Sequence, residues 1–272
     1  MGYTGAVRRA ERHRIAAATW RAPAAGPLYG RVELDAGAAL DYLRELSAAI
    51  GSKATMTHLV GKAVGMALVA APDLNARIVL GRLRPLSSVD VAFVVATRDG
   101  GDLSSVRVRD VDQASLGDIA GLLNQRAAPV RVGDDVDFGR SSGIMARIPF
   151  PLTRPAMWAA GFVQSGLGKG VPALGLKPDG FGGAMVSNVS AFGVEQGFGA
   201  LVLVGAVTDR PVARDGQVVV RPMVDLGITL DHRLVDGAQL GPAIAALRHV
   251  VEHPVEALGP VAGAGAPTVA TG

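Results

Sequence analysis

The chain contains no cysteine among its 272 residues, which excludes disulfide bonds, thiolate metal ligands and a cysteine nucleophile. Aromatic residues are scarce, at 4%, so few side chains are present on which nucleobases could stack. The charges nearly cancel, because 27 basic residues face 24 acidic ones and leave a formal net charge of +3. The sequence therefore argues against a nucleic-acid-binding protein, while the small basic excess remains compatible with an anionic small-molecule ligand.

Long apolar runs are also missing from the body of the chain. Every charge-free stretch there is shorter than the ~18 residues that a membrane-spanning helix needs, so we expect no transmembrane span. Hydrophobic residues nevertheless make up 49% of the chain, which is enough for a substantial core. We predict a cytoplasmic location, which the absence of cysteine fits.

The first 27 residues are rich in arginine and hold a single acidic residue, Glu11. We interpret residues 1–27 as a basic arm or first helix whose charged face is solvated. A transit peptide is the alternative, because such peptides are also rich in arginine and poor in acidic residues.

Residues 28–128 alternate between patterns typical of strands and of helices. Apolar residues at every second position predict strands, and apolar residues at three- and four-residue steps predict helices. The pair Ser115 and Asp118 has capping-box spacing and predicts the start of a further helix. The expected order before that helix is strand 28–34, helix 36–50, helix 57–71, strand 88–97 and strand 103–109.

The composition changes at Pro129. We interpret residues 129–142 as a charged loop, and residues 143–180, which are rich in proline and glycine, as an excursion around a short apolar helix. The whole of 129–180 is thus predicted to be an insertion. A membrane-surface or partner-docking patch is the alternative for its apolar residues.

Strand and helix patterns then resume. The last helix turns Leu240, Ile244, Leu247 and Val251 inward and ends at Pro254. Residues 257–272 consist largely of glycine, alanine and proline and are predicted to be a disordered tail. We therefore expect one large domain over residues 28–256, with strands at 184–190, 200–206, 217–221 and 223–230.

The heptad Asp231-His-Arg-Leu-Val-Asp-Gly237 directly follows the last predicted strand. His232 stands where the strand gives way to a loop, so the strand fixes the residue and the loop exposes it. A neutral imidazole, with an unperturbed pKa of about 6.5, can remove a proton from a thiol whose pKa is near 8.5. Asp236 could orient the loop through an arginine or polarise the ring.

A histidine and an aspartate at this spacing also occur in purely structural loops. The remaining histidines, His13, His58, His249 and His253, receive no chemical role. His249 and His253 have a spacing that can bind a metal, but no third ligand accompanies them, so we predict no metal site.

The heptad 231–237 resembles the signature of the catalytic domain of dihydrolipoyl acyltransferases. These are the core components of 2-oxoacid dehydrogenase complexes, and they are related in fold to chloramphenicol acetyltransferase. The resemblance covers residues 28–128 and 180–256 and implies an α/β fold, a sandwich of a mixed β-sheet with flanking helices. Its other matching segments are the helix that ends in Pro72-Asp-Leu-Asn75, the strand 89–97, and Val186-Ser187-Asn188.

The resemblance also implies a mechanism. His232 would be the general base that takes the proton from an attacking thiol, and Ser187 would donate a hydrogen bond to the tetrahedral oxyanion. Asp236 would hold the histidine loop through a buried ion pair with an N-terminal arginine, for which Arg12 and Arg14 are the candidates. Coenzyme A or an acyl-coenzyme A would be a substrate, and no metal takes part.

In the family the histidine and the serine of one site come from different subunits of a trimer. The resemblance therefore implies a homotrimer or a larger assembly of trimers. No lipoyl-lysine domain and no peripheral-subunit-binding domain is recognisable in the chain, so the acyl carrier would be a separate lipoyl-bearing or other carrier protein.

Two alternatives remain open. One is an acyltransferase of the same fold with a non-lipoyl acceptor, such as a carrier-protein pantetheine, an amine or an alcohol. The other is a noncatalytic trimeric or cage-forming scaffold. The set of His232, Asp236 and Ser187 argues against the scaffold, and the missing carrier and docking domains argue for it.

Overall fold

The computed structural model describes residues 27–79, 82–96, 103–132, 182–188, 202–231, 234 and 237–261, together with seven single positions between 152 and 170. The strands and helices, in chain order, are β1 (Pro27–Asp35), α1 (Gly37–Ile50), α2 (Met56–Ala70), β2 (Ala76–Val79), β3 (Arg82–Pro85), β4 (Val91–Ala96), β5 (Leu103–Val108), α3 (Leu116–Val132), β6 (Ala184–Asn188), β7 (Val202–Arg214), β8 (Gln217–Asp231), α4 (Gly237–Glu252) and α5 (Pro254–Leu258).

Six of these strands form one mixed sheet in the order β1-β8-β7-β6-β4-β5. The short strand β6 runs parallel to both of its neighbours, β4 and β7. The other neighbouring pairs in the sheet are antiparallel, and β2 and β3 form a separate hairpin. The predicted fold class, a mixed sheet with flanking helices, is confirmed.

The core lies between the sheet and the helices. Side chains alternate between the two faces of a strand, and in β8 the alternate residues Val224, Leu226, Ile228 and Leu230 are buried. Helix α2 is apolar around most of its circumference and packs against β4, β6 and β7, with α4 beside it. Full burial of each such aliphatic side chain contributes about 1.5–3 kcal/mol. Within the described ranges, no helix has the length and apolarity that would be needed to cross a membrane.

Helix α2 lies very close to β4 because Gly61 faces the ring of Phe93. A Cβ atom on Gly61 would lie 2.1 Å from Phe93 Cζ, far inside van der Waals contact. Phe93 is only 2% exposed and is surrounded by the core. The absence of a side chain at Gly61 therefore sets the distance between this helix and the sheet.

Helix α3 begins as predicted and ends later than predicted. The N–H of Asp118 donates to the hydroxyl of Ser115 over 3.1 Å, which caps the helix start. The helix then passes through Pro129 and reaches Val132, so the predicted loop over 129–142 starts too early. An interior proline removes one backbone donor and crowds the carbonyl four residues earlier, but the hydrogen bonds of the turns further from it can persist. The rest of the predicted insertion lies almost entirely outside the described residues.

Strand β8 is continuous across Pro222, whereas the sequence predicted separate strands at 217–221 and 223–230. The carbonyl of Pro222 accepts a hydrogen bond from the N–H of Ala36 over 2.8 Å. The N–H and C=O of one strand residue face the same neighbour, so the donor that proline lacks would also point towards the β1 side. The missing donor therefore costs no hydrogen bond to β7. It also costs none to β1, because that strand ends at Asp35.

Strand β7 extends well past its predicted end at Ala206, because it pairs with β8 as far as Arg214. The outer half of β7 is largely polar and exposed, so an apolar pattern could not predict it. Asp215 and Gly216 close the hairpin with φ values of 50° and 77°, as a two-residue turn of type I′ requires.

The two ends of the predicted domain behave differently. Helix α5 carries the chain beyond the predicted boundary at residue 256, and Val261 is buried, with 5% exposure. The tail was therefore predicted to start too early, because a proline-initiated single turn has no long apolar period. The remainder of the tail and residues 1–26 of the predicted basic arm lie outside the described residues.

Candidate active site

Ser187 lies near the end of β6, in the middle of the sheet. Its neighbour Val186 pairs with Phe93 of β4 on one side and with Val202 of β7 on the other. Ser187 itself pairs with Leu203 of β7, one position beyond the last pair with β4. Because Val186 is fully buried under the helices, the alternation of the strand turns the half-buried Ser187 towards the opposite, open face of the sheet.

Two glycines allow the start of β6 to pack tightly. Gly183 donates its N–H to the carbonyl of Asp90 over 3.0 Å. A Cβ at Gly182, where φ is +67°, would lie 2.4 Å from that same carbonyl oxygen, and a Cβ at Gly183 would lie 2.2 Å from Asn75 Oδ1. No side chain fits at either position. Two consecutive glycines before an apolar strand indicate such a close backbone approach, and the sequence analysis did not identify them.

Asn75 is the asparagine of the Pro-x-x-Asn turn, and its position gives this motif a structural role. Its side-chain amide donates to the carbonyl of Ser88 over 3.0 Å, and its Oδ1 atom lies against Gly183. That oxygen has no hydrogen-bond partner among the described residues. Asn75 thus connects the turn after α2 to the segment that leads into β4 and to the start of β6.

The opposite end of β6 is tied to α2. The side-chain amide of Asn188 donates a hydrogen bond to the hydroxyl of Thr57. Thr57 is the second residue of α2, and its neighbours Met56 and His58 are buried. The strand that carries Ser187 is therefore held at both ends.

Strand β8 ends at Asp231, and His232 is the next residue in the sequence. Helix α4 begins at Gly237, so the heptad spans a strand-to-helix connection. The side chains of His232 and Asp236, and the candidate partners Arg12 and Arg14, lie outside the described residues. Their roles stay predictions.

The register of the sheet separates Ser187 from the end of β8. Ser187 pairs with Leu203, and Leu203 pairs with Gly227 of β8. Asp231 lies four residues further along β8. With spacings of about 4.8 Å between strands and about 3.4 Å along a strand, the Cα atoms of Ser187 and Asp231 are roughly 17 Å apart.

A cluster of four charged side chains lies on the open face beside the row of Ser187. Asp225 is 2% exposed, and its Oδ2 atom accepts hydrogen bonds from Arg31 over 3.0 Å and from Arg210 over 2.7 Å. Glu33 pairs with the same two arginines. Two cations and two anions balance, and the cluster joins β1, β7 and β8 without adding net charge to the face.

The surroundings of the buried residues Lys62 and Asp35 shift the pKa of each. Burial lowers the pKa of Lys62, against a smaller opposing effect of Asp112, while its ammonium donates to three carbonyls of the loop after β5. Burial raises the pKa of Asp35, but hydrogen bonds from Arg221 and from the N–H of Gly37, with the charges of Arg221 and Arg214, outweigh it. The pKa of Asp35 therefore lies below its ordinary value.

The described histidines have structural surroundings. Nδ1 of His58 accepts a hydrogen bond from the N–H of Thr55 over 3.2 Å and helps to cap α2. The rings of His249 and His253 contact each other at a tilt of 35°, with centroids 5.8 Å apart. The described parts of the chain contain no group of three histidine or acidic side chains that could hold a metal ion.

The sequence matches the family described as 2-oxoacid dehydrogenases acyltransferase (catalytic domain) over residues 5–134 and 176–259. One similar protein is the dihydrolipoyllysine-residue succinyltransferase component of the 2-oxoglutarate dehydrogenase complex of Cupriavidus necator. It is 41% identical over 59 residues, which make up 22% of this chain and 14% of that protein. The chain thus spans a small part of this relative's length.

Two solved structures have a similar fold. The probable dihydrolipoamide acetyltransferase of Listeria monocytogenes superposes with a TM-score of 0.64 at 21% identity, over 90% of this chain and 91% of the other. The dihydrolipoamide acetyltransferase of Azotobacter vinelandii superposes with a TM-score of 0.65 at 19% identity, over 92% and 90% of the two chains. At these identities the likeness establishes the fold.

Proposed function

The chain belongs to the family of 2-oxoacid dehydrogenase acyltransferase catalytic domains, and from this premise we propose that it moves an acyl group between coenzyme A and a dihydrolipoyl-type thiol. The observation that carries the proposal is the second part of the family match. Residues 176–259 include both Ser187, which lies on the anchored strand β6, and His232, which follows the last residue of β8 in the sequence.

In the proposed reaction His232 accepts the proton of the attacking thiol. The sulfur then adds to the thioester carbonyl, and the hydroxyl of Ser187 donates a hydrogen bond to the oxygen as it becomes negative. Collapse of this tetrahedral centre expels the second sulfur, which recovers the proton from the histidine. In the Azotobacter vinelandii enzyme a serine and a histidine were likewise investigated for roles in the catalytic mechanism, which supports the assignment.

The separation of about 17 Å between Ser187 and the end of β8 supports a site shared between two copies of the chain. A single acyl carbon must lie within hydrogen-bond reach of groups that act on its substituents. A second copy that presents its His232 to the Ser187 of the first satisfies this requirement. A closed ring of three such heterologous contacts is a homotrimer, which is the assembly that the family resemblance implies.

Asp236 is proposed to hold the histidine loop, with Arg12 or Arg14 as its partner. Coenzyme A is a substrate, and a separate lipoyl-bearing protein is the proposed carrier of the acyl group. The cytoplasmic location stays a prediction.

The decisive experiment measures thiol-dependent acyl transfer by the purified chain. Acetyl-, succinyl- and branched-chain acyl-coenzyme A are each offered with dihydrolipoamide, and His232→Ala serves as the control. We expect turnover with at least one pair and its loss by several orders of magnitude in the variant. Transfer to pantetheine, an amine or an alcohol alone would identify a non-lipoyl acceptor, and no transfer from a well-assembled protein would favour the scaffold.

A further inference from the structure

Resting on this proposed function, we propose that Asn188 and Thr57 are positioning residues, which hold the hydroxyl of Ser187 where the oxyanion forms. The observation behind this inference is the hydrogen bond from the side-chain amide of Asn188 to the hydroxyl of Thr57. It joins the residue next to Ser187 to the first turn of α2.

The end of β6 needs such a support because its ladder is incomplete. Among the described residues, β4 pairs with β6 from Ala184 to Val186. In the same part of the chain, Ser187 and Asn188 pair with β7 alone. A catalytic donor has to be held to within a fraction of an ångström of its productive position, and a strand end supported on one side does not provide this by itself.

The partner of Asn188 is well fixed. Thr57 belongs to the first turn of α2, which is stabilised by the hydrogen bond from the N–H of Thr55 to the imidazole of His58. The following residue on the core side, Leu59, has no exposed surface. A hydroxyl on this turn is therefore a rigid reference point for the strand.

Side chains alternate between the two faces of β6, so Asn188 and Ser187 point in opposite directions. Asn188 shares the helix-covered face with Val186, whereas Ser187 points to the open face. The amide of Asn188 cannot then act on the substrate in place of Ser187, and its contribution has to pass through the backbone. A polar side chain on an apolar face costs stability unless it is hydrogen-bonded. The bond to Thr57 therefore offsets the cost of placing Asn188 on this face.

The first test compares Thr57→Val, which removes the hydroxyl but keeps the shape, with Thr57→Ser, which retains the hydroxyl. We expect Thr57→Val and Asn188→Ala to lower kcat about 10- to 100-fold with KM changed less than about threefold. Thr57→Ser should stay within about threefold of wild type. Asn124→Ala is the matched control, because Asn124 also ties a helix to a loop, through the carbonyl of Lys53, but lies away from β6.

The second test asks whether the effect passes through Ser187. In a Ser187→Ala background, Asn188→Ala should lower kcat less than about threefold further, since the group that it positions is gone. An equal loss in both backgrounds, or wild-type kcat in Thr57→Val, would overturn the inference. If Asn188→Ala does not fold, the Thr57 pair decides the question.

Hydrogen exchange gives a readout that does not depend on activity. Thr57→Val should speed amide exchange in β6 while the β4–β5 hairpin keeps its wild-type rates. Unchanged exchange in β6 would contradict the positioning role even if no acyl transfer were found. Absence of transfer in the wild-type protein would instead overturn the proposed function, so the two failures are distinguishable.

Discussion

Ser187 of β6 and Gly227 of β8 lie on one row of the sheet, two strands apart. The end of β8 is therefore far from Ser187 within one chain, and a shared site between copies predicts complementation. Ser187→Ala and His232→Ala, each lowered in activity by at least about 10²-fold alone, should recover activity when the two chains are unfolded and reassembled together. Random mixing gives about a quarter of the sites both native groups.

The mixing experiment is read by the rate of acyl transfer against wild-type protein treated in the same way. Mixing after assembly, without exchange of subunits, is the control and should recover nothing. If reassembled mixtures stay as inactive as the separate variants, the serine and the histidine of one site belong to the same chain.

Ser187→Ala should lower kcat by about 10²–10³, which is the loss found for one oxyanion donor elsewhere. KM should change little, because the hydrogen bond strengthens mainly in the transition state. Ser187 lies within the Val-Ser-Asn strand segment, without the strained elbow of a serine nucleophile. Intact-mass spectrometry during turnover should thus show no acyl adduct, and a stoichiometric adduct on Ser187 would mean a covalent mechanism.

Gly61→Ala should destabilise the protein by about 1–3 kcal/mol through overpacking, because the added Cβ meets the buried ring of Phe93. Gly121→Ala is the matched control. Gly121 is an exposed position within α3 with open space around its Cα, so alanine there should stabilise by about 0.5–1 kcal/mol. Denaturant midpoints measure both changes, and equal effects would contradict the close approach of α2 to β4.

Asp35→Asn should destabilise the protein at neutral pH and have little effect in acid. The pKa of Asp35 is lower in the folded protein than its ordinary value, so its ion pair contributes stability above that value. The contribution is lost as the pH falls through the folded-state pKa. We expect a loss of about 1–3 kcal/mol at pH 7.

The free energies of unfolding of the wild type and of Asp35→Asn, measured at pH 7 and near pH 2.5, test this pH dependence. Asp41→Asn is the control, because Asp41 pairs with Arg44 on the exposed surface of α1 and should change stability by less than about 0.5 kcal/mol. A loss that is the same at both pH values would show that the charge of Asp35 does not stabilise the fold.

The parts of the fold that were predictable from the sequence are those governed by local periodicity. Helices α1, α2 and α4 and the inner strands follow apolar spacing. The roles of Ser187 and His232 come from a motif resemblance and stay predictions. Continuity across Pro222 was not predictable, since it depends on where β1 ends in space. The contact of Asn188 with Thr57 joins residues 131 positions apart, and no local pattern encodes it.

The place of β6 in the sheet has a consequence for how the chain folds. The β4–β5 and β7–β8 hairpins each pair neighbours in sequence and can form early, whereas β6 joins them through two parallel, non-local pairings, the kind of contact that forms slowly. Ser187 lies on β6, the strand that joins the two hairpins. In a partly folded chain the two hairpins can exist before Ser187 is in place. If Ser187 has the proposed role, acquisition of activity during refolding should report completion of the native topology.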